Sequence, residues 1–518
     1  MTRSPFRIAA LVLLVALFAT LVYRAATQSI VHDEAFSWEE YLSGPSSMIF
    51  QHYDANNHFL ATILFRISTT VFGDSELAMR LPTVLAGAWF FWTVFRLCEL
   101  FFGDGWFCLL GCCALALNPI LLDFLVAARG YGLAMAGLFW TLYEMLEWQE
   151  ERSRGIAEFE LRKRLWKASA GCFIAVAANL TFLMPVFVLA TAFCVLLLRK
   201  SETGLAPASP PLATMRKKSK KAKPKAPRQQ VNPYAPFLHF VVPVIVLAIA
   251  FLLAAPIDLA RSQDFYAGTP EAIKSLRSLM GVSFAYGNDP GPMHRIEQIW
   301  AAVALLFLPV IVVTALIVVS ITNSLMRTAT GLVTLFSSIV VVGSASLLAG
   351  AHLLIGVPYP EDRTGIYFVP LAILSALGLS RILSQRTGPS RWMGSAIAVV
   401  LVSFALEFAA QWNVRSFWVW RYDADTKRIF EKLETEKKLA APPAGQVRLG
   451  VSWQLEPALN YYREVRKAAW MAPVERDGFD GQRQFYVVLS EDQNQARLPK
   501  MRQIYRGPVS GTALALPQ

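Results

Sequence analysis

Two neighbouring tracts decide the fold: the apolar run Ile8–Tyr23, IAALVLLVALFATLVY, and the polar exit Ile30-Val31-His32-Asp33-Glu34-Ala35-Phe36. The run follows a short basic start, Arg3 and Arg7. It suits a membrane helix whose basic end stays inside. No A-x-A-like site follows it, so it is expected to be retained rather than cleaved as a leader. Asp33 and Glu34 then emerge at the outer surface.

Apolar stretches of spanning length recur through the first 411 residues, and 55% of the 518 residues are hydrophobic. Only 17% are charged, against about 25% in soluble domains. The expected class is an all-α polytopic membrane protein with a small C-terminal α/β extracytoplasmic domain. Residues 1–411 form the transmembrane domain and residues 412–518 the tail. The net charge of +12 is concentrated, with ten basic residues between Arg199 and Arg228. Their proline-containing loop, 199–236, is expected to be disordered and cytoplasmic, touching anionic lipid headgroups. This placement argues against nucleic acid as a partner. All six cysteines fall in apolar runs and have no metal-type spacing.

Eleven spans satisfy the basic-inside rule: about 8–26, 81–102, 106–123, 130–147, 168–181, 183–198, 237–256, 296–320, 331–355, 365–383 and 393–411. The hairpin 168–198 is expected to be interrupted near Pro185, and Glu150–Lys167 forms an inner loop. Long outer loops cover 27–79, with an amphipathic stretch Phe59–Phe72, and 257–295. The N-terminus is then inside and the C-terminus outside. In the tail, Gln446–Trp453 and Gln484–Leu489 alternate like strands, and Leu455–Arg466 has helical spacing.

Polar chemistry gathers in the first outer loop: His32, Asp33, Glu34, Glu39, Glu40, His52, Asp54, Asn56, Asn57 and His58. Phe36 and Trp38 suit a membrane interface. A carboxylate there can take a proton from an alcohol, and partial desolvation would raise its pKa toward working pH. His52, His58 and the carboxylates could instead hold a divalent metal, although their spacing matches no ligand motif. Otherwise no cofactor is expected. Arginines that remain outside need a reason, and an anionic ligand is one. Arg129 lies in Ala127-Ala128-Arg129-Gly130-Tyr131-Gly132, and Arg363 in Pro360-Glu361-Asp362-Arg363-Thr364-Gly365-Ile366-Tyr367. The guanidinium fork suits bidentate phosphate recognition. Arg363 also has two acidic neighbours with which it could pair. Arg80, before Leu81-Pro82, is a third such arginine.

Asp33-Glu34 after the first helix, Arg80-Leu81-Pro82-Thr83-Val84-Leu85-Ala86-Gly87, Arg129-x-Tyr131 and Arg363-x-x-x-Tyr367 together resemble the GT-C superfamily of polyprenyl-phosphate-sugar-dependent glycosyltransferases. The similarity is to the bacterial protein mannosyltransferase and aminoarabinose-transferase branch and covers about residues 8–411. It implies a multi-pass protein of the bacterial cytoplasmic membrane that moves a sugar from a polyprenyl-phosphate donor to a lipid, glycan or protein acceptor, with inversion, on the outer face. Asp33 would be the general base and Glu34 would position acceptor or base. Arg129 and Arg363 would grip the donor phosphate, with Tyr131, Tyr367, Arg80, His58, Asp54 and Asn57 completing the substrate site. Asn56-Asn57-His58 stands where many relatives carry a His-Pro-Pro-Leu-like run, and Ala128 where they often carry an acid, so the acceptor stays open. The main alternative is a transporter or flippase of lipid-linked sugars; no internal repeat of the transporter kind is visible. A non-catalytic assembly subunit is a third reading.

Overall fold

A computed structural model describes residues 4–51, 53–202, 232, 234–257, 268–286, 292–437, 446–476, 479, 483–493 and 500–518. His52, Arg261 and most of the basic loop lie outside these residues.

Helix α1 spans Pro5–Thr27. The short α2 (His32–Ser37), a π-helical turn (Trp38–Leu42) and α3 (Met48–Gln51) follow its exit. The amphipathic stretch folds as α4, Phe59–Phe72. Helix α5, Glu76–Phe102, contains Pro82. A proline inside a helix strands the carbonyl four residues back. That carbonyl belongs to Ala78, and the Ser68 hydroxyl of α4 donates to it at 2.5 Å.

The expected helix 106–123 is two helices, α6 (Trp106–Ala116) and α7 (Pro119–Phe124). Asn118 breaks it: its side chain accepts from the Leu121 N–H, and Pro119 opens the next turn. Helices α8 (Gly130–Ser153) and α9 (Glu158–Ala178) take up most of the charged segment expected as an inner loop. Arg164 of α9 reaches Glu151 at 2.8 Å and Glu144 at 2.9 Å on α8, so opposite charges carry both helices past the apolar part. The expected interruption falls at Asn179 rather than Pro185. A 3-10 turn, Leu180–Phe182, leads into α10, Leu183–Glu202. Pro185 sits in the first turn of α10, where a missing N–H costs little.

Helix α11 spans Ala235–Ala254. The second outer loop contains an unexpected amphipathic helix, α12, Ala272–Phe284. Helices α13 (Pro292–Ile321), α14 (Ala329–Ile355), α15 (Phe368–Ser384) and α16 (Pro389–Ala410) complete the helical part. Every expected span has a helical counterpart. Among the described residues eight stretches, at α1, α5, α10, α11 and α13 to α16, are long and apolar enough to cross a membrane. The counterparts α6, α8 and α9 are shorter or more polar. Val15, Leu253, Leu306 and Leu354 point outward, as on lipid-facing helices. Inside, Phe90 packs edge-on against Phe139, and Trp148 against Phe193.

The tail adds α17 (Thr426–Glu436), α18 (Glu456–Val465) and four strands: β1 (Leu449–Val451), β2 (Phe485–Val488), β3 (Met501–Arg506) and β4 (Ala513–Pro517). The sheet order is β1-β2-β4-β3, with β1 and β2 parallel and the other pairs antiparallel. Strand β2 is buried on both faces rather than half-exposed. Val487 joins the cluster of α17 and α18, while Tyr486 and Val488 pack with Phe479.

Candidate functional site

Glu34 and Arg80 are both fully buried and form one ion pair. Arg80 Nε and Nη2 donate to the two Glu34 oxygens at 2.9 and 2.6 Å. The remaining Arg80 donors meet the carbonyls of Gln28 and Ser29. Glu34 also accepts from the Val31 N–H, a capping reach-back at the start of α2, and from the Ala128 N–H at 2.6 Å. Neither residue lines the cavity described below, where Arg80 was expected as a substrate contact and Glu34 to position acceptor or base. With no exposed surface and every oxygen engaged, Glu34 instead ties α2 to α5 and to the turn that carries Arg129.

That tie places Asp33 between two arginines from distant segments. Asp33 Oδ2 lies 3.6 Å from Nη2 of Arg129 and 3.2 Å from Nη2 of Arg363. Burial pushes the Asp33 carboxyl up, but the two guanidiniums pull the other way. Its pKa thus lies below the ordinary aspartate range, where desolvation alone was expected to raise it. His32 and a hydrogen bond from Trp420 add to the lowering.

Arg129 caps the start of α8 and is nearly buried. It donates to Asn56 Oδ1 at 2.7 Å and to the Ala55 carbonyl at 3.1 Å. Asp54 shapes that loop as an Asx turn, its carboxylate accepting from the Asn56 and Asn57 N–H groups. Arg363 sits in the 3-10 turn Asp362–Gly365. Asp362 takes a left-handed φ of 49° there, which costs about 1–3 kcal/mol. Helix α12 holds this turn: the Asp362 N–H donates to Ser278 Oγ at 2.8 Å, and Ser278 Oγ–H donates back to the Asp362 carboxylate. Lys274, also on α12, pairs with Glu361 at 3.6 Å.

A cavity of about 120 Å³ opens beside these arginines. Asp54, Asn57, His58, Arg129, Tyr131 and Arg363 line it, so six expected site residues meet there. Burial, then the charges of Arg129 and Arg363, hold the His58 imidazole well below its ordinary pKa, so it is neutral. Its ring meets Tyr131 edge-on, 5.3 Å between centroids. Tyr367, expected with them, packs into the core against Phe182 and Phe368. Among the described residues, no three His, Cys, Asp or Glu side chains gather as a metal site.

Three further residues escaped the sequence reading. Asn179 and Thr181, at the break between α9 and α10, line the same cavity as Arg129. Trp420, beyond the last span, lies 5.5 Å from the Arg363 guanidinium. A lone asparagine between two apolar runs was the one available signal for Asn179. The tail packs directly on the first outer loop. Asp423 accepts from the His32 N–H at 2.7 Å, Gln454 O meets His32 Nδ1, and Tyr462 donates to Glu76 at 2.9 Å. Trp38 is buried by this contact, edge-on to Tyr461, rather than placed at a membrane interface. An apolar groove of about 460 Å³ runs between α12, α13, α14 and α15, lined by Leu279, Leu308, Val312, Val341 and Phe368. It reaches Tyr359 and Pro360, just before the Arg363 turn.

No protein-family model matches the chain, and no curated protein matches it in sequence. Among solved structures it is similar to ArnT from Cupriavidus metallidurans in the apo state, at 11% identity and a TM-score of 0.51, over 98% of this chain and 97% of that one. It is also similar to ArnT from the same organism bound to undecaprenyl phosphate, at 13% identity and a TM-score of 0.41, over 98% and 97%. A third is the archaeal oligosaccharyltransferase AglB from Archaeoglobus fulgidus, in complex with an inhibitory peptide and a dolichol-phosphate, at 12% identity and a TM-score of 0.39, over 87% and 63%. At such identities the likeness is one of fold. The chain shares the fold of apo ArnT along nearly its whole length.

Proposed function

We propose that this protein is an inverting glycosyltransferase of the bacterial cytoplasmic membrane, moving a sugar from a polyprenyl-phosphate carrier to an acceptor hydroxyl on the outer face. One observation carries the reading: a carboxylate, Asp33, is held between two arginines of remote segments, and both arginines line a small cavity. The donor phosphate binds Arg129 and Arg363, with His58, Asp54, Asn57 and Tyr131 around it. The polyprenyl chain follows the apolar groove that ends just before Arg363. The sugar carbon then faces Asp33.

The arginines have two tasks. Without donor they neutralise Asp33. As the phosphate arrives it takes over part of their charge, and Asp33 recovers basicity where the acceptor enters. Asp33 accepts the hydroxyl proton while the acceptor oxygen attacks the anomeric carbon from the side opposite the phosphate. The carbon–phosphate-oxygen bond breaks, and polyprenyl phosphate leaves with its electron pair, stabilised by the two fixed cations in a low-dielectric site. The step as proposed uses no cofactor. Glu34 and Arg80 position Asp33 and the Arg129 turn without touching substrate.

Purified protein in detergent, given radiolabelled polyprenyl-phosphate sugar, is expected to transfer or hydrolyse the sugar. Asp33→Asn keeps the shape and removes the base, so it should bind donor yet lose about 10²–10⁴-fold in rate. Full activity in that variant would sink the base assignment. Translocation of donor across vesicles without turnover would favour a flippase.

A further inference from the structure

The cavity beside Arg129 contains a hydrogen-bond donor that the protein leaves unused. Asn179 is 3% exposed. Its Oδ1 accepts from the Thr181 N–H at 3.0 Å and from the Thr181 hydroxyl at 2.8 Å. A backbone N–H can only donate, so this contact fixes the amide: oxygen toward Thr181, nitrogen away from it. The Nδ2 group is then buried without a hydrogen-bond partner among the described residues. Arg129 Nε and His58 Nε2, on the walls of the same cavity, are also buried without partners. Leaving a buried polar atom unmet costs about 1–3 kcal/mol, so three around one cavity, two of them N–H donors, mark a place that a polar ligand completes.

The backbone is built to bring them together. A Cβ on Gly130 would lie 1.8 Å from the Ala178 carbonyl oxygen and 2.9 Å from His58 Cβ. Only glycine lets the end of α9 press against the Arg129 turn and the first outer loop. That contact brings Asn179 into the wall of the cavity that the arginines also line. Two guanidiniums and an amide donor around about 120 Å³ suit a tetrahedral oxyanion.

We infer that Asn179 is a ligand-contacting residue of this cavity, donating through Nδ2 to an oxygen of a bound phosphate. The inference deepens the proposed function and rests on its donor-phosphate reading. Asn179 thereby adds a third donor that fixes the rotation of the phosphate about its ester bond.

The test is binding of polyprenyl phosphate to the purified full chain in detergent, with inorganic phosphate as competitor. Asn179→Asp keeps the oxygen that caps the Thr181 turn and replaces the donor with a second acceptor. It should melt like the wild type and bind the lipid about tenfold more weakly or worse. If the added charge prevents folding, Asn179→Ser, which also caps a turn but lacks the amide donor, carries the same expectation. Inorganic phosphate that competes only at much higher concentration identifies a lipid headgroup as the source. Equal competition, lost in the same variants, identifies free phosphate with the Asn179 contact intact. Wild-type affinity in the folded variants overturns the inference and leaves the donor reading standing. Absence of lipid-phosphate binding in the wild type overturns both.

Discussion

Burial raises the folded pKa of Asp33, but Arg129, Arg363, His32 and a hydrogen bond from Trp420 together hold it below its ordinary value of 3.8. The sign of the linkage follows. Its contribution to stability is complete above about pH 4 and is lost as the pH falls through the lowered folded value. In the donor-free enzyme the base is therefore ionised at every physiological pH. Arg363→Gln removes one of the two opposing charges and leaves burial less opposed. The acid limb of the kcat/KM profile for donor should then move to higher pH, whatever the loss in absolute rate. A limb that does not move would show that Asp33 is not the titrating base. Glu34→Gln tests the neighbouring residue differently. It leaves Arg80 charged and fully buried, a change that costs about 3–5 kcal/mol. A large drop in melting temperature is expected, where a residue that merely oriented an acceptor would leave stability alone. Sequence singled out Asp33-Glu34 as a pair because carboxylates at a helix exit are conspicuous. The resemblance gave them different roles, base and positioning, but left open what Glu34 positions, since the partner that buries it lies 46 residues away. Trp420 carried no pattern at all, and Asn179 only that of a lone asparagine between apolar runs; their place at the site is a product of packing.

Among the elements, the apolar helices were legible because about 30 Å of hydrocarbon demands a long run that few other structures need. Breaks were harder. Asn118 and Asn179 interrupt apolar runs through side-chain caps, which a hydropathy window averages away. Helix α12 was missed for a related reason: it is short, mixed in polarity and lies in a loop assigned by topology alone. It nevertheless positions Arg363 through Ser278. Ser278→Ala removes both hydrogen bonds that hold Asp362 in its left-handed conformation. Relaxation of that turn should raise the donor KM roughly fivefold, the equivalent of about 1 kcal/mol, with kcat nearly unchanged. Steady-state kinetics would show it. An unchanged KM would mean that the Arg363 turn holds itself.

The arrangement of the whole molecule follows from which parts touch. Asp423, Gln454 and Tyr462 of the tail reach His32 and Glu76, which flank the exit of α1 and the start of α5. Tail and first outer loop must therefore share one side of the membrane. Trp420 extends that contact to Arg363, so the tail closes the site rather than hanging beside it. The opposite side is set by charge. Ten basic residues between Arg199 and Arg228 resist translocation, and the Arg164 pairs bind the ends of α8 and α9 at the far end from Arg129. Taken together, shared side and basic loop predict an orientation with the basic loop inside and the C-terminus outside, without counting spans. A reporter that works only outside the cytoplasm, fused after Gln518, should be active, and the same reporter inserted in 203–231 should be silent. The opposite pattern would turn Asp33 toward the cytoplasm. It would also end the case for an outer-face donor, because one inversion moves tail, loop and site together.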